Sequence, residues 1–483
     1  MTPRAFRRIA IIAFGSLALT HCAQNPVSGG KNFVLMSEQQ EIQLGAQAHQ
    51  DVLKEYAALA NPALQAYVNE IGQRLAARSH RPHLQWHFTV VDSPDVNAFA
   101  LPGGYVYITR GLMAYLNSEA ELAGVVGHEI GHVTARHSVR QQSTSTAVGL
   151  GAVLGSILVP GMGNQAGASL LQTLAQAWTA GYGREHELES DRLGAEYLAK
   201  SGYTPQAMID VIGVLKNQEL FAAEQARRDG RQPRTYHGTF DTHPSNDARL
   251  KQVVGAANQY SVANPREGRS DYLQKMAGVV FGDSPDQGLI RNNMLLHEKL
   301  GLAIQFPPGW RVQNRPARVV ALSPRGDALV ELQQGPKNNK PLDTLQKGIQ
   351  LDAGARFDSG KLGGYPAAFA AGAQQGKPVV AAAVVFNGTQ YLIAGMARDK
   401  PAYARERNTL RATINSFRAI TPAERQAARP YVLKLVTAQP GMTMASLARK
   451  SPLGADAENQ LRLMNALYPS GEPTPGQRLK IVQ

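Results

Sequence analysis

Two histidines four residues apart, His128 and His132 in the stretch GVVGHEIGHVTARH (124–137), act together only if the chain around them is helical. One turn of helix then projects both imidazoles from one face. The preceding residues support that reading. Asn117-Ser118-Glu119-Ala120-Glu121 carries the spacing of a capping box, with Ser118 and Glu121 as its members. Leu122, Val125, Val126 and Ile130 follow as an apolar stripe, so the histidines stand in the later turns of a well-started helix. Zinc prefers tetrahedral N/O/S ligands and keeps one position open in catalytic sites. Histidines at i and i+4 supply two ligands, and Glu129 beside the first is placed to act as base on a metal-bound water. The third ligand is not in this stretch, and a helix face with satisfied histidines is the plain alternative.

About fifty residues downstream, GREHELESDRLG places Glu187 and Asp191 four apart and hence on one helical face. A carboxylate from this second helix completes a His2Glu set, and an aspartate one turn on can accept from a ligand imidazole. Glu185 and Glu189 are read as solvated charges, and His137 as structural. HEIGH followed by Arg184-x-x-Glu187-x-x-x-Asp191-Arg192 resembles the zinc metallopeptidases of the HtpX and CAAX-prenyl-endopeptidase family. The layout is that of its periplasmic BepA-type branch, and the resemblance runs from about Ser37 to Val254. It implies a gluzincin-type site holding one Zn2+ per chain. His128, His132 and Glu187 would be the ligands, Glu129 the base and proton shuttle, and Asp191 the support of a ligand.

Two further stretches match that family. NAFALPGGYVYITRGL (97–112) resembles its edge strand, which pairs with an extended substrate, so Asn97 and Ala98 would contribute main-chain or amide contacts. Read without the family, Asn97 is a turn residue after Pro94-Asp95. DTHPSNDAR (241–249) resembles a loop near the zinc, which would bring His243 to the metal, as a resting ligand or an oxyanion stabiliser, with Arg249 nearby. Without the family, His243 is a His-Pro at the start of a helix.

A chain of 483 residues is too long for one core and predicts two to four domains. Arg4, Arg7 and Arg8 followed by the apolar Ile9–Leu19 read as an export signal ending at Cys22, the only cysteine. Cys22 is therefore expected to carry a lipid anchor, with Ala23 after it as in lipoproteins sorted to the outer membrane; an ordinary cleaved signal is the alternative. His21 departs from the small residue usual before such a cysteine. The net charge of +13 suits anionic headgroups or cell-wall polymer, and no clustered basic run or stacking motif points to nucleic acid.

The expected order is a signal segment (1–22), a tether (23–37), the metallopeptidase domain (38–280), an α+β domain (290–418) and a terminal module (429–483). The fold class is α+β, mainly helical in the peptidase domain with a small edge-strand sheet. Within that domain the spacing predicts helix from Glu38 to about Ala77 and strands bearing Trp86, Phe88, Val90, Val106 and Ile108. Residues 141–183 contain no charged side chain; Pro160-Gly161 and Gly163-Asn164 interrupt them, which favours a semi-apolar lid over a membrane hairpin. Residues 290–418 resemble a PsbP-type α+β domain in pattern. Residues 429–483 read as βααβ and are similar to LysM modules, implying peptidoglycan as a partner; a docking domain that has lost sugar binding is the alternative.

These readings predict a zinc endopeptidase of the cell envelope that acts on unfolded or misassembled envelope proteins. The competing expectations are an envelope scaffold or chaperone with minor proteolysis, and a zinc-dependent peptidoglycan hydrolase.

Overall fold

The computed structural model describes residues 22–34, 36–141, 143, 182–228, 253–255, 257–338 and 340–483. The expected lid, save its ends, and His243 and Arg249 lie outside these residues, as does the signal segment before Cys22. Strands β1 (Cys22–Gln24) and β2 (Lys31–Phe33) pair antiparallel within the stretch expected as a tether. Asn25 makes the turn between them, its Oδ1 accepting from the N–H groups of Val27 and Ser28. No helix among the described residues is long and apolar enough to cross a membrane.

The single helix expected from Glu38 is two, α1 (Glu38–Glu55) and α2 (Pro62–Ala76). Asn61 caps α2 by accepting from the Leu64 N–H at 3.1 Å, and Pro62 opens it at a position where its missing N–H costs nothing. Leu64, Val68, Ile71 and Leu75 are buried, as the helical spacing required. A three-stranded sheet follows: β3 (His87–Val91), β4 (Ala98–Leu101) and β5 (Tyr105–Thr109), in the order β3-β5-β4. β5 is parallel to β3 and antiparallel to β4, which leaves β4 at the edge among the described residues. Gly103 and Gly104, at φ of 82° and 102°, make the turn between β4 and β5.

Thr109 caps the short α3 (Arg110–Tyr115), and Ser118 caps α4 (Glu119–Thr134), in which every residue is buried. A helix apolar on one stripe needs one neighbour; one buried all round needs several. α4 packs against α2, β4, α5 (Arg184–Lys200), α6 (Ala207–Arg228) and α7 (Arg269–Met276).

The described chain forms two compact units. The first holds residues up to 53, 58–278 and 433–483; the second holds 54–57 and 279–432. In the second, seven antiparallel strands run in the order β10-β11-β12-β16-β15-β14-β13, beside a four-stranded sheet β17-β9-β8-β7. Their ranges are β7 (Leu289–Arg291), β8 (Met294–His297), β9 (Leu302–Gln305), β10 (Arg311–Asn314), β11 (Arg318–Leu322) and β12 (Ala328–Gln334), then β13 (Arg356–Leu362), β14 (Tyr365–Gln374), β15 (Lys377–Phe386), β16 (Thr389–Ala397) and β17 (Arg418–Ala419). The two-residue β6 (Val280–Phe281) pairs with Tyr431 and Val432.

Helix α8 (Pro341–Gly348) covers one face of the large sheet and α9 (Lys400–Asn415) the other. This explains the unbroken apolar run of β15: Val380, Ala382 and Val384 face α9, and Val379, Ala381 and Ala383 face α8. A short α10 (Pro422–Ala427) follows β17.

The last segment is β18 (Tyr431–Thr437), α11 (Met444–Ala448), a turn of 3-10 helix, α12 (Ala457–Met464) and β19 (Arg478–Val482). β18 and β19 pair antiparallel, so the βααβ order expected from the sequence is present. From Leu433 onward it shares the compact unit of α4. Lys480, fully buried, donates from Nζ to the carbonyls of Ala114 and Leu116 at the end of α3. Asp456 accepts from Gln225 and Arg228 of α6, and Gln460 accepts from the Tyr115 hydroxyl.

Candidate metal centre

Helices α4 and α5 cross on small residues. A Cβ added at Gly131 would lie 3.1 Å from the Ser190 backbone, and one at Gly194 would lie 3.1 Å from the His128 nitrogen. Gly127 and Gly131 on one helix meet Ser190 and Gly194 on the other, so the two backbones approach closely. That approach carries Glu187 and Asp191 to the histidines.

Both ends of α4 are fixed by buried charge. At its start, Ser118 Oγ accepts from the Glu121 N–H at 3.1 Å, as the capping pattern required. The Glu121 carboxylate accepts from Asn117 rather than from Ser118. Glu119, buried, accepts from Tyr203 at 2.6 Å and Tyr67 at 3.0 Å and pairs with Arg266 at 2.8 Å. At the other end, Arg81 donates to the Val133 carbonyl and pairs with Glu41 at 2.7 Å. Arg136, also on Glu41, takes the left-handed conformation (φ 58°), and this reversal turns His137 back beside His132.

His128, His132 and Glu187, all buried, converge on one point. His128 Nε2 lies 3.0 Å from His132 Nε2 and 3.5 Å from Glu187 Oε2; His132 Nε2 lies 3.4 Å from Glu187 Oε1. Tetrahedral zinc with bonds of about 2.0–2.2 Å sets its ligand atoms roughly 3.3–3.6 Å apart. The two histidine–glutamate edges match that spacing, and the His128–His132 edge of 3.0 Å is shorter than it. Burial lowers the His128 imidazole, but Asp191 and Glu187 overcome it and hold it up at about 9, whereas burial holds His132 well below its ordinary value.

The Nδ1 of His128 lies 2.9 Å from Asp191 Oδ1, the contact that the i,i+4 spacing of Glu187 and Asp191 suggested. Glu129 is buried on α4 beside the first histidine. Tyr182 stacks on His132 with ring centroids 4.0 Å apart and shares a 2.6 Å hydrogen bond with Ser138. Burial pushes its phenol far up, and the carboxylates of Glu129 and Glu187 add to that. A narrow cleft lies beside this ring, lined by Ala100, Pro102, His132, Arg136 and Tyr182 among others. Ala98 stands first in edge strand β4, and Asn97 just before it bonds Thr109 through its backbone. The Asn97 side-chain oxygen is buried without a partner among the described residues.

Three residues near the metal point carried no sequence reading of this kind. The sequence suggests a structural role for His137 and a solvated charge at Glu189, yet His137 Nδ1 is 2.9 Å from His132 Nδ1 and its Nε2 is 3.0 Å from Glu189 Oε2. Glu189 is half-buried, paired also with Arg140, and held down at about 2; burial opposes that shift and His137 and Arg140 override it. Tyr182 lies at the end of the uncharged stretch, and nothing in its neighbours marks it. A histidine five residues after a ligand, beyond a helix end, was the one available signal for His137.

Residues 62–257 match Peptidase family M48. The beta-barrel assembly-enhancing protease of Yersinia pestis is 36% identical over 220 residues, covering 44% of this chain and 43% of that one. Its namesake from Escherichia coli (strain K12) is 33% identical over 243 residues, covering 49% and 47%. The mitochondrial metalloendopeptidase OMA1 of Arabidopsis thaliana is 36% identical over 132 residues, 27% of this chain and 26% of that one. The chain thus spans less than half the length of these relatives. A solution structure of cyanobacterial PsbP from Synechocystis sp. PCC 6803 aligns with 29% of this chain and 98% of its own at a TM-score of 0.21 and 11% identity, and nothing further rests on it. The α4–α5 helix pair with its two histidines and glutamate lies wholly within the matched span, so it is over residues 62–257 that this chain is similar to Peptidase family M48 and to the beta-barrel assembly-enhancing proteases.

Proposed function

We propose that the chain is a zinc-dependent endopeptidase of the bacterial cell envelope, acting on misfolded or misassembled envelope proteins. The observation that carries this reading is the buried His128–His132–Glu187 triangle, two imidazoles and a carboxylate whose ligand atoms converge to 3.0–3.5 Å of one another, a donor set that suits zinc. A zinc ion held there supplies Lewis acidity to a water and to the scissile carbonyl. Asp191 fixes the His128 ring by accepting from Nδ1, so that Nε2 keeps its lone pair for the metal. Glu129 takes the proton of the attacking water and returns it to the leaving amine. Strand β4, last in the sheet order among the described residues, and the Asn97 amide hold the peptide extended by adding it to the sheet. His243 and Arg249 belong to the same site by family resemblance alone. The envelope location rests on the basic, apolar start and on Cys22, to which we assign a lipid anchor. The LysM-like pattern of residues 429–483 supports peptidoglycan as a further partner.

The test is Glu129→Gln in the full chain. Zinc content should match the parent, while hydrolysis of casein or a misfolded outer-membrane protein falls by at least about 100-fold. Parental turnover by a zinc-loaded variant would overturn the mechanism.

A further inference from the structure

We propose that His137 is a positioning residue for the metal, accepting a hydrogen bond from ligand His132 and passing the constraint on to Glu189. The inference rests on the zinc reading above and concerns how this chain's own residues orient one ligand.

The two ligand histidines are held differently. His128 meets a carboxylate directly, Nδ1 to Asp191 at 2.9 Å. His132 meets another imidazole, Nδ1 to Nδ1 at 2.9 Å, with the rings near perpendicular at 73°. Two facing ring nitrogens at that distance need one proton between them, and the surroundings decide whose it is. His132 Nε2 points at the convergence of His128 and Glu187, so its lone pair belongs there and its ring proton sits on Nδ1. His137 Nδ1 is then the acceptor, which places its own proton on Nε2. There Glu189 Oε2 accepts it at 3.0 Å, and Arg140 Nη1 lies 3.0 Å from the same oxygen. One tautomer assignment satisfies the chain from His132 through His137 to Glu189.

The rest of the pocket keeps His137 in that place. It is fully buried, His186 stacks on its ring at 4.2 Å and 17°, and Ser190 Oγ is 3.3 Å from Nδ1. Glu189 lies two residues before Asp191 on α5, so it projects from another side of that helix, and the imidazole spans the gap to His132. Each histidine of the pair therefore answers to its own carboxylate, one directly and one through His137. Ligand-orienting groups of this kind are worth about 10–100-fold in metal affinity.

The experiment compares His137→Phe, His137→Gln and Glu189→Gln in the full chain with the parent. Zinc dissociation constants come from chelator competition, the visible spectrum from the Co2+-loaded protein, and melting temperatures from the metal-stripped chain. His137→Phe should weaken zinc about 10–100-fold and alter the Co2+ spectrum. His137→Gln, whose amide can accept from His132 and donate to Glu189, should recover most of the affinity. If His137→Phe unfolds the stripped chain, Glu189→Gln carries the test, with about tenfold weaker binding expected. Binding by the folded His137→Phe within twofold of the parent overturns the proposal. So does a His137→Gln variant as weak as His137→Phe, which reduces the residue to packing, or an unchanged constant for Glu189→Gln. A parental chain that takes up no zinc refutes the metal reading instead, so the two failures are distinct.

Discussion

Lys480 and Glu121 are two ionisable groups that burial sets against their ordinary charge. Lys480 has no solvent exposure, and burial pushes its ammonium down to about 7. Burial pushes the Glu121 carboxyl up to about 7; the Asn117 backbone and Lys480 oppose that, with Asp210 and Arg269 the other charges in reach. Between about pH 7 and 10.5 the unfolded chain keeps a proton on Lys480 that the folded chain has released, so its contribution to stability rises with pH. Between 4.5 and about 7 the folded chain keeps a proton on Glu121 that the unfolded chain has lost, so that contribution falls as pH rises. Denaturant midpoints across pH 5–10 should show Glu121→Gln losing the acid-side slope and Lys480→Met the alkaline one. Variants whose profiles run parallel to the parent would sink this account. Residues like these mark where local reading ends. His128, His132, Glu187 and Asp191 were legible because helical spacing alone puts each pair on one face. Lys480 was not: in the alternation of β19 it takes an outward position, and only the carbonyls of Ala114 and Leu116, far away in sequence, explain its burial.

Between elements, glycine decides the geometry of the α4–α5 crossing. Gly131 faces the Ser190 backbone, where a methyl group would come within 3.1 Å, whereas Gly213 in α6 has nothing within 4 Å of an added Cβ. Alanine is the better helix former by about 1 kcal/mol, so Gly213→Ala should stabilise the chain by up to that amount. Gly131→Ala gains the same propensity but forces two backbones apart, an overpacking cost of about 1–3 kcal/mol. It also moves Glu187 away from the histidines, so its zinc affinity should fall while that of Gly213→Ala holds. Equal zinc affinity in the two variants would show that the crossing does not set the ligand distances. The sequence displays the pattern, Gly127-x-x-x-Gly131 and Ser190-x-x-x-Gly194, but its meaning depends on which helix lies opposite. The break between α1 and α2 was readable in principle: Asn61-Pro62 is a cap followed by a favoured first helical residue, and the apolar spacing on either side masked it.

At the level of the molecule, the chain leaves the unit that holds α4 at Gly278 and returns to it at Leu433. A terminal module hung on a linker can be removed without consequence for the domain it serves; residues 433–483 are bonded into that domain. Their loss strips Lys480 Nζ from the end of α3, leaving the carbonyls of Ala114 and Leu116 without its hydrogen bonds. It also takes Asp456 from Arg228 and Gln225, and Gln460 from Tyr115. Leaving a buried hydrogen-bonding group without its partner costs about 1–3 kcal/mol, enough to speed local opening about tenfold or more. A chain ending at Val432 should therefore show faster amide exchange across residues 110–134, followed by weaker zinc retention and lower peptidase activity. A detached glycan-binding module makes the opposite forecast, with exchange in α3 and α4 unchanged and only attachment to peptidoglycan lost. Exchange measured by mass spectrometry on the two chains separates these outcomes, because it reads the helix that carries His128 and His132 whether or not the substrate is known.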